Sequence, residues 1–386
     1  MRHAVVVEAV RTPIGRAHPE KGSFRDVRAD DLSADIMKAA VERARIVPSM
    51  LEDIHWGCVR QEEEQGFDVA RMAALIAGFP IEVPATTAQR NCGSSLQALH
   101  QAATSIMAKC DDIQLVGGVE HMHHLPLDSG YVPSPRYLQR HSPATLHMGM
   151  TAEFLARKYG ISRREQDEFA LRSHRLAGEA TDRGWFASEI VPTWGRDDEG
   201  RNTLLTQDQC IRRETSLEAL AALKPVFQPE GGTVTAGNAS PVNVGAAAMV
   251  VMSEERASEL GLKPLVRIRA MAAAGVDPSI MGVGPVPATL KALERAKLKL
   301  ADIGLIEINE AFAAQTLSVV KLLGVPLEMV NVRGGAIAIG HPLGASGARI
   351  ACTLIHAMRD LGIPLGVAAM CIGGGQGIAT VFERVA

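Results

Sequence analysis

Gly340-His341-Pro342-Leu343-Gly344-Ala345-Ser346-Gly347-Ala348-Arg349 places one histidine in a glycine-rich loop that opens a helix. Ala351, Leu354, Ile355 and Met358 follow at helical spacing, so an amphipathic helix is expected after the loop. Glycine lets a backbone approach another group closely or take positive φ, so the loop reads as built around something. Further on, Met370-Cys371-Ile372-Gly373-Gly374-Gly375-Gln376-Gly377 sets a cysteine at the end of an apolar run, entering a second glycine loop. Far upstream, Gln89-Arg90-Asn91-Cys92-Gly93-Ser94-Ser95 opens another helix, carried on by Leu96, Leu99, Ala103, Ile106 and Met107. Two cysteines and a histidine, each on its own loop, organise the rest of the reading.

Outward from these loops the chain repeats itself. Leu265 to Arg269 restates the opening strand around Ala4 to Val7, and Leu300 to Ile308 restates Leu51 to Val59. The loop and helix from Gly344 restate those from Cys92, and Gly366 to Cys371 restates Ile113 to Val119. The alternation of strands and helices is that of an α/β protein with a largely parallel sheet and helices on both faces. Duplication predicts two pseudo-equivalent halves whose matching loops meet at one site, outside the carboxyl ends of the strands. Asp30 or Asp31 is expected to cap the first helix.

Between about residues 120 and 245 the composition shifts: Pro126, Pro133, Pro135 and Pro143 appear, strand runs thin out, and Ser162-x-x-Glu165 forms a capping-box signature. The expected division is a first half at 1–118 and 246–261, an insertion at 119–245, and a second half at 262–386.

With 386 residues, 47% hydrophobic and 22% charged, the chain has ample material for a buried core. A formal net charge of -3 gives no overall push towards nucleic acid. There is no signal-peptide pattern and no apolar run long enough for a membrane span. Six cysteines are scattered without CxxC pairing, which points to reduced thiols and a cytoplasmic setting.

Cys92, where a strand gives way to a helix, is the nucleophile candidate, because unpaired N–H groups and the helix dipole favour a thiolate there. His341 reads as a base for that thiol or as an oxyanion donor, and otherwise as a turn histidine. Cys371 is a second thiol in the same loop cluster, suited to acid–base work. Asn309, in Asn309-Glu310-Ala311-Phe312-Ala313, either caps a helix or holds a water or carbonyl oxygen. Gly237-Asn238-Ala239-Ser240 is a turn or a contact to a ligand's amides. His121, His123 and His124 have no acidic or cysteine partner at ligand spacing, so no metal is expected.

Together these motifs are similar to those of the thiolase family, in the same order and spacing from Arg11-Thr12-Pro13 to the C-terminus. Phe24 to Ser33 and Ala379 to Val385 resemble in particular the degradative 3-ketoacyl-CoA thiolase subunits of bacterial fatty-acid oxidation complexes. The resemblance implies duplicated βαβαβαββ halves in five layers (α-β-α-β-α) with an inserted, coenzyme A-binding loop domain. It implies ping-pong acyl transfer, with Cys92 carrying the acyl group, His341 activating it and Cys371 protonating the departing enolate of acetyl-CoA. Asn309 would position a water of one oxyanion hole, and the N–H groups of Cys92 and Gly373 would form the other. His147, Arg212 and Ser240 match positions that contact coenzyme A, a co-substrate, with no tightly bound cofactor.

Relatives form dimers or dimers of dimers, and the degradative kind docks a multifunctional enoyl-CoA hydratase/3-hydroxyacyl-CoA dehydrogenase subunit. The related biosynthetic enzymes condense two acetyl-CoA. A ketoacyl synthase would normally pair two histidines with its cysteine. The chain departs from the family pattern at Gln89, Asn91, Val244 and Ala345, and the first two lie at the entrance to the Cys92 pocket.

Overall fold

The computed structural model describes residues 2–127 and 131–385. The first half runs β1 (Ala4–Arg11), β2 (Gly15–Arg16), α1 (Ala29–Arg43), β3 (Asp53–Gly57), α2 (Val69–Ile76), β4 (Thr86–Ala88), α3 (Ser94–Met107) and β5 (Ile113–His121). An excursion follows, with α4 (Pro135–Leu138), α5 (Met148–Tyr159), α6 (Arg163–Asp182), the hairpin β6 (Thr193–Arg196) and β7 (Asn202–Leu205), and α7 (Leu217–Ala221). The chain returns as β8 (Asn243–Ser253) and α8 (Glu254–Glu259). The second half is β9 (Val266–Gly275), α9 (Pro285–Ala296), β10 (Leu305–Ile308), α10 (Ala313–Leu323), α11 (Leu343–Leu361), β11 (Leu365–Ile372) and β12 (Gln376–Arg384).

The strand orders are β4-β3-β5-β8-β1 in the first half and β10-β11-β12-β9 in the second. A parallel bridge from Ile306 to Val330 fills the place that β4 holds in the first half, so the two orders match strand for strand. The expectation of a largely parallel sheet is corrected here. β3 is parallel to β4 and β5, and β10 to β11, but β8 and β12 run antiparallel to both of their main neighbours. The reason is plain for β12: only Gly373, Gly374 and Gly375 separate it from β11, too few residues for a crossover. The halves touch edge to edge through β1 and β9, at Val5–Arg267 and Val6–Val266.

Three apolar cores separate five layers. Leu32, Ile36 and Met37 of α1 and Val69 of α2 cover the outer face of the first sheet with Val5, Leu115 and Val250. Ala288 and Leu293 of α9 and Val319 of α10 cover the outer face of the second. Between the sheets lie α3 and α11, joining Leu96, Leu99, Ile350 and Leu354 to Val251, Ile268 and Met370. A sheet covered on both faces needs continuous apolar strands, and β5 and β8 are buried at every residue.

The amphipathic expectation for α11 is corrected as well. Gly344 through Met358 is buried all round, including Arg349, Thr353 and His356, because a helix between two sheets has no solvent face. Its neighbour α3 approaches so closely that a Cβ on Gly347 would fall 2.4 Å from the Leu96 backbone nitrogen.

The Ser162 capping box forms as expected, Ser162 Oγ accepting from Glu165 N at 3.2 Å and Ser162 N donating to Glu165 Oε2 at 2.7 Å. For α1 the cap position is Arg28, without a side-chain bond. Asp30 and Asp31 sit instead in the first turn, where they still favour the helix dipole. No helix of the described residues is long and apolar enough to cross a membrane.

Gly347→Ala is expected to lower stability by about 1–3 kcal/mol, since α3 and α11 must separate to admit a methyl group. Urea unfolding measures this directly, and an unchanged midpoint would show that the contact is slack.

Candidate active site

The amino ends of α3 and α11 lie side by side, with Cys92 just before one and His341 just before the other. Ser95 Oγ accepts from Ala348 N at 2.9 Å and ties the first turn of α3 to the second turn of α11. Glu120, at the end of β5, adds a second clamp. Its buried carboxylate accepts from Gly344 N at 2.9 Å, Val59 N at 3.0 Å, Arg60 N at 3.1 Å and Gln65 Nε2 at 2.9 Å. Gly340 takes φ +126, and a Cβ there would meet Asn243 Nδ2 at 2.7 Å, so the turn into His341 requires glycine.

His341 is held at three points. Its backbone N–H donates to Asn243 Oδ1 at 2.8 Å. Its Nδ1 lies 2.5 Å from Ser346 Oγ, and that hydroxyl donates to Pro342 O at 2.7 Å. A hydroxyl has one proton, so Ser346 must accept from Nδ1–H, leaving Nε2 as the basic nitrogen. Asn309 Nδ2 lies 3.3 Å from Nε2. Burial, with Arg349 nearby, pushes the imidazole down to about 3, so His341 is neutral at rest and its basicity is lowered.

Cys92 retains partial exposure, yet the surrounding protein pushes its thiol up to about 11, against the Gly373 and Cys92 N–H groups that favour the thiolate. Desolvation thus opposes the helix-stabilised thiolate expected from the sequence, while the two N–H groups favour it. Cys371 is buried, and its thiol is raised still further, first by desolvation and then by the neighbouring Cys92.

Asn309 is fully buried, with its Oδ1 unpartnered among the described residues. Such an atom is costly to leave bare, and it offers an acceptor beside His341. Asn309, His341, Cys92, Cys371 and Gly373 thus gather at one end of the middle layer. The excursion closes over them: Ala152 and Val234 pack with Ala311, Phe312 and Cys371.

The other candidates lie on this cover. His147 is exposed at the N-cap of α5, and the next residue, Met148, faces Gly373. Ser240 is half-buried and Ser240 Oγ donates to Ala311 O at 3.2 Å. Arg212 is exposed and lines a small cavity with Arg16, His174 and Pro241, beside Ser240.

The histidine group does have an acidic partner, contrary to expectation, because folding brings Glu64 to His124 at 2.9 Å. Ligand atoms of Glu64, His121 and His124 lie within 4.8 Å of one another, but the two imidazoles stack at 3.6 Å and 17° and their nitrogens already bond Phe24 O, Arg25 O and His124 N.

Ser346, Asn243 and Glu120 escaped the sequence reading. Each had a faint signal: Ser346 in the quoted loop itself, Asn243 and Glu120 as polar residues in otherwise apolar strands.

The family model "Thiolase, N-terminal domain" matches residues 4–255, and "Thiolase, C-terminal domain" matches 262–384. The chain is 55% identical to the 3-ketoacyl-CoA thiolase of Aliivibrio fischeri and 56% identical to that of Pectobacterium carotovorum, covering 100% of this chain and of each relative. Among solved structures it is similar to human mitochondrial 3-ketoacyl-CoA thiolase, with TM-score 0.92 and 39% identity over 100% of this chain and 99% of that one. Bacillus anthracis acetyl-CoA acetyltransferase is similar at TM-score 0.90 and 41% identity, with the same coverage.

A thiol raised to about 11 becomes a thiolate only at high pH. Alkylation of Cys92 by iodoacetamide, followed on its peptide by mass spectrometry, should therefore keep accelerating above about pH 9. A plateau below about pH 8 would show instead that the N–H groups win over burial.

Proposed function

This chain belongs to the thiolase family, and from that premise we propose that it is a 3-ketoacyl-CoA thiolase of fatty-acid β-oxidation. It is an acyltransferase that cleaves 3-ketoacyl-CoA with coenzyme A, giving acetyl-CoA and a shortened acyl-CoA. The observation that carries this reading is the second thiol. A hydrolase needs one nucleophile and a base, whereas Cys371 is near enough to Cys92 for the two thiols to interact electrostatically, and it supplies a separate proton donor.

His341 Nε2 takes the proton of the Cys92 thiol, and the sulfur attacks the 3-keto carbon. The bond between the second and third carbons breaks, its electron pair passing to the acetyl-CoA enolate. Cys371 gives that carbon its proton, leaving the acyl group as a thioester on Cys92. The thiol of coenzyme A then gives its proton to the Cys371 thiolate and attacks the thioester, the shortened acyl-CoA departs, and the leaving Cys92 sulfur takes back the proton held by His341. Breaking a carbon–carbon bond this way needs donors at two developing oxyanions. The Cys92 and Gly373 N–H groups serve the acyl oxygen. His341 and a water held by Asn309 serve the thioester oxygen of the enolate, a role that suits the unpartnered Asn309 Oδ1.

The raised Cys371 thiol suits this chemistry, because a thiol that stays protonated near neutral pH can act as an acid to an enolate. The raised Cys92 thiol and the depressed imidazole oppose full proton transfer at rest, so the proton passes to His341 as the sulfur bonds the keto carbon. Ser346 sets the required tautomer.

In this reading residues 119–245 form the coenzyme A-binding domain, with His147, Arg212 and Ser240 as its contacts. The halves are 1–118 with 246–261, and 262–386. Coenzyme A is a co-substrate, and neither a tightly bound cofactor nor a metal is required. The protein acts in the cytoplasm as a homodimer or dimer of dimers, docked to a multifunctional enoyl-CoA hydratase/3-hydroxyacyl-CoA dehydrogenase subunit.

Coenzyme A-dependent cleavage, assayed from acetoacetyl-CoA up to long-chain 3-ketoacyl-CoAs, tests the proposal. Activity on long chains is expected, with Cys92→Ser reducing it by roughly 10⁴-fold or more. Activity confined to acetoacetyl-CoA would favour a biosynthetic acetoacetyl-CoA thiolase, and none at any length would overturn the mechanism.

A further inference from the structure

Gln89 and Asn91 are the two residues by which the entrance to the Cys92 pocket departs from the family pattern, and they are joined to each other. Gln89 Nε2 donates to Asn91 Oδ1 at 3.3 Å. With that oxygen engaged, the amide nitrogen of Asn91 turns to the second glycine loop and donates to Gly373 O at 2.9 Å. Beside it, Arg90 Nη1 donates to Gln376 Oε1 at 3.1 Å, a second tie between the same two loops.

The recipient of these bonds is a glycine turn that Val276 N also ties, donating to Gly375 O at 2.8 Å. The last ladder pair of the β11–β12 hairpin is Ile372–Gln376, so Gly373, Gly374 and Gly375 span the turn as three consecutive glycines. Gly374 and Gly375 both take φ +84. The Gly373 carbonyl lies outside the ladder, and Asn91 provides its partner. Asn91 itself takes φ +45, a left-handed conformation that asparagine adopts more readily than most side chains. One residue type therefore meets both demands, the backbone turn into Cys92 and the side-chain bond across to Gly373.

We propose that Asn91, oriented by Gln89, is a positioning residue for acyl transfer: by holding the Gly373 carbonyl its amide restrains the φ and ψ of Gly373, and so keeps the Gly373 N–H, on the preceding peptide unit, aimed at the Cys92 sulfur and at the oxygen of the acyl group formed on it. The inference rests on the thiolase reading for its kinetic consequence, though its geometric consequence at the Cys92 sulfur does not need that reading. Asn91 acts through Gly373 and has no chemical step of its own.

Two substitutions separate the side chain from the backbone. Asn91→Gly keeps the left-handed turn and removes the amide. Asn91→Asp keeps the turn and the shape but replaces the donor with an acceptor. Both should lower the single-turnover rate of Cys92 acylation by about tenfold or more with KM little changed, a smaller loss than deleting an oxyanion donor outright. Both should also slow Cys92 alkylation by iodoacetamide and move its pH profile upward, since the Gly373 N–H favours the thiolate. Gln89→Ala should shift both readouts in the same direction by less.

Wild-type acylation and alkylation in both Asn91 variants would overturn the proposal while leaving the thiolase reading intact. If the wild-type chain cleaves no 3-ketoacyl-CoA, that reading falls, and the alkylation profile alone decides: an upward shift supports the Asn91–Gly373 contact and an unmoved profile rejects it.

Discussion

Two helices are held between two sheets, and the molecule depends on how their amino ends are satisfied there. The first N–H groups of a helix have no partners within it, and in the middle layer water cannot supply them. Glu120 does so for the Gly344 N–H, bridging the amino end of α11 to β5 and the loop after β3, and Ser95 of α3 accepts from Ala348 N one turn further on. Because Ser95 and Glu120 belong to the first half and Gly344 and Ala348 to the second, these bonds join the duplicated halves. Small residues permit it: only glycine at 344 and 347 lets backbone meet backbone at this distance.

The burial that creates this joint also sets the chemistry. Desolvation favours the neutral form of every titratable group, so the two thiols rise and the imidazole falls. Neither partner is charged at rest, and the reactive ion pair forms only when the proton moves. Behind the site, Arg349 of α11 faces Glu307, a carboxyl that burial pushes up to about 8, at 3.4 Å, and Arg11 is held by Glu189 at 2.6 Å and Asp208 at 2.6 Å. Those last two acids come from the excursion, so the charge network ties the cover to the sheet it leaves.

Much of the site was legible in the sequence because its residues sit at or near the ends of strands and helices, where local signals are strong. Cys92 and His341 stand beside glycine just before a helix, Cys371 lies near the end of β11 ahead of a glycine turn and Asn309 follows β10, and the repeat itself announced which loops would meet. The direction of β8 and β12 was less accessible. An apolar strand reads the same whichever way it runs, and only the three-glycine turn before β12 betrays it. The all-round burial of α11 was hidden for a similar reason: Arg349, Thr353 and His356 look like a polar face until a second sheet covers them.

Local residue types thus determined the α/β alternation, the duplication and the loops that carry the reactive groups, since turn geometry and periodicity act over a few residues. Tertiary structure alone decided which long-range partner each group obtained. Glu64 reached His124 across 60 positions, Asn243 reached His341 across 98, and Ser95 reached Ala348 across 253. It also decided the protonation of the site. A helix dipole is a local property and argued for a thiolate at Cys92, but desolvation depends on everything packed around the sulfur, and in this fold it is the larger effect.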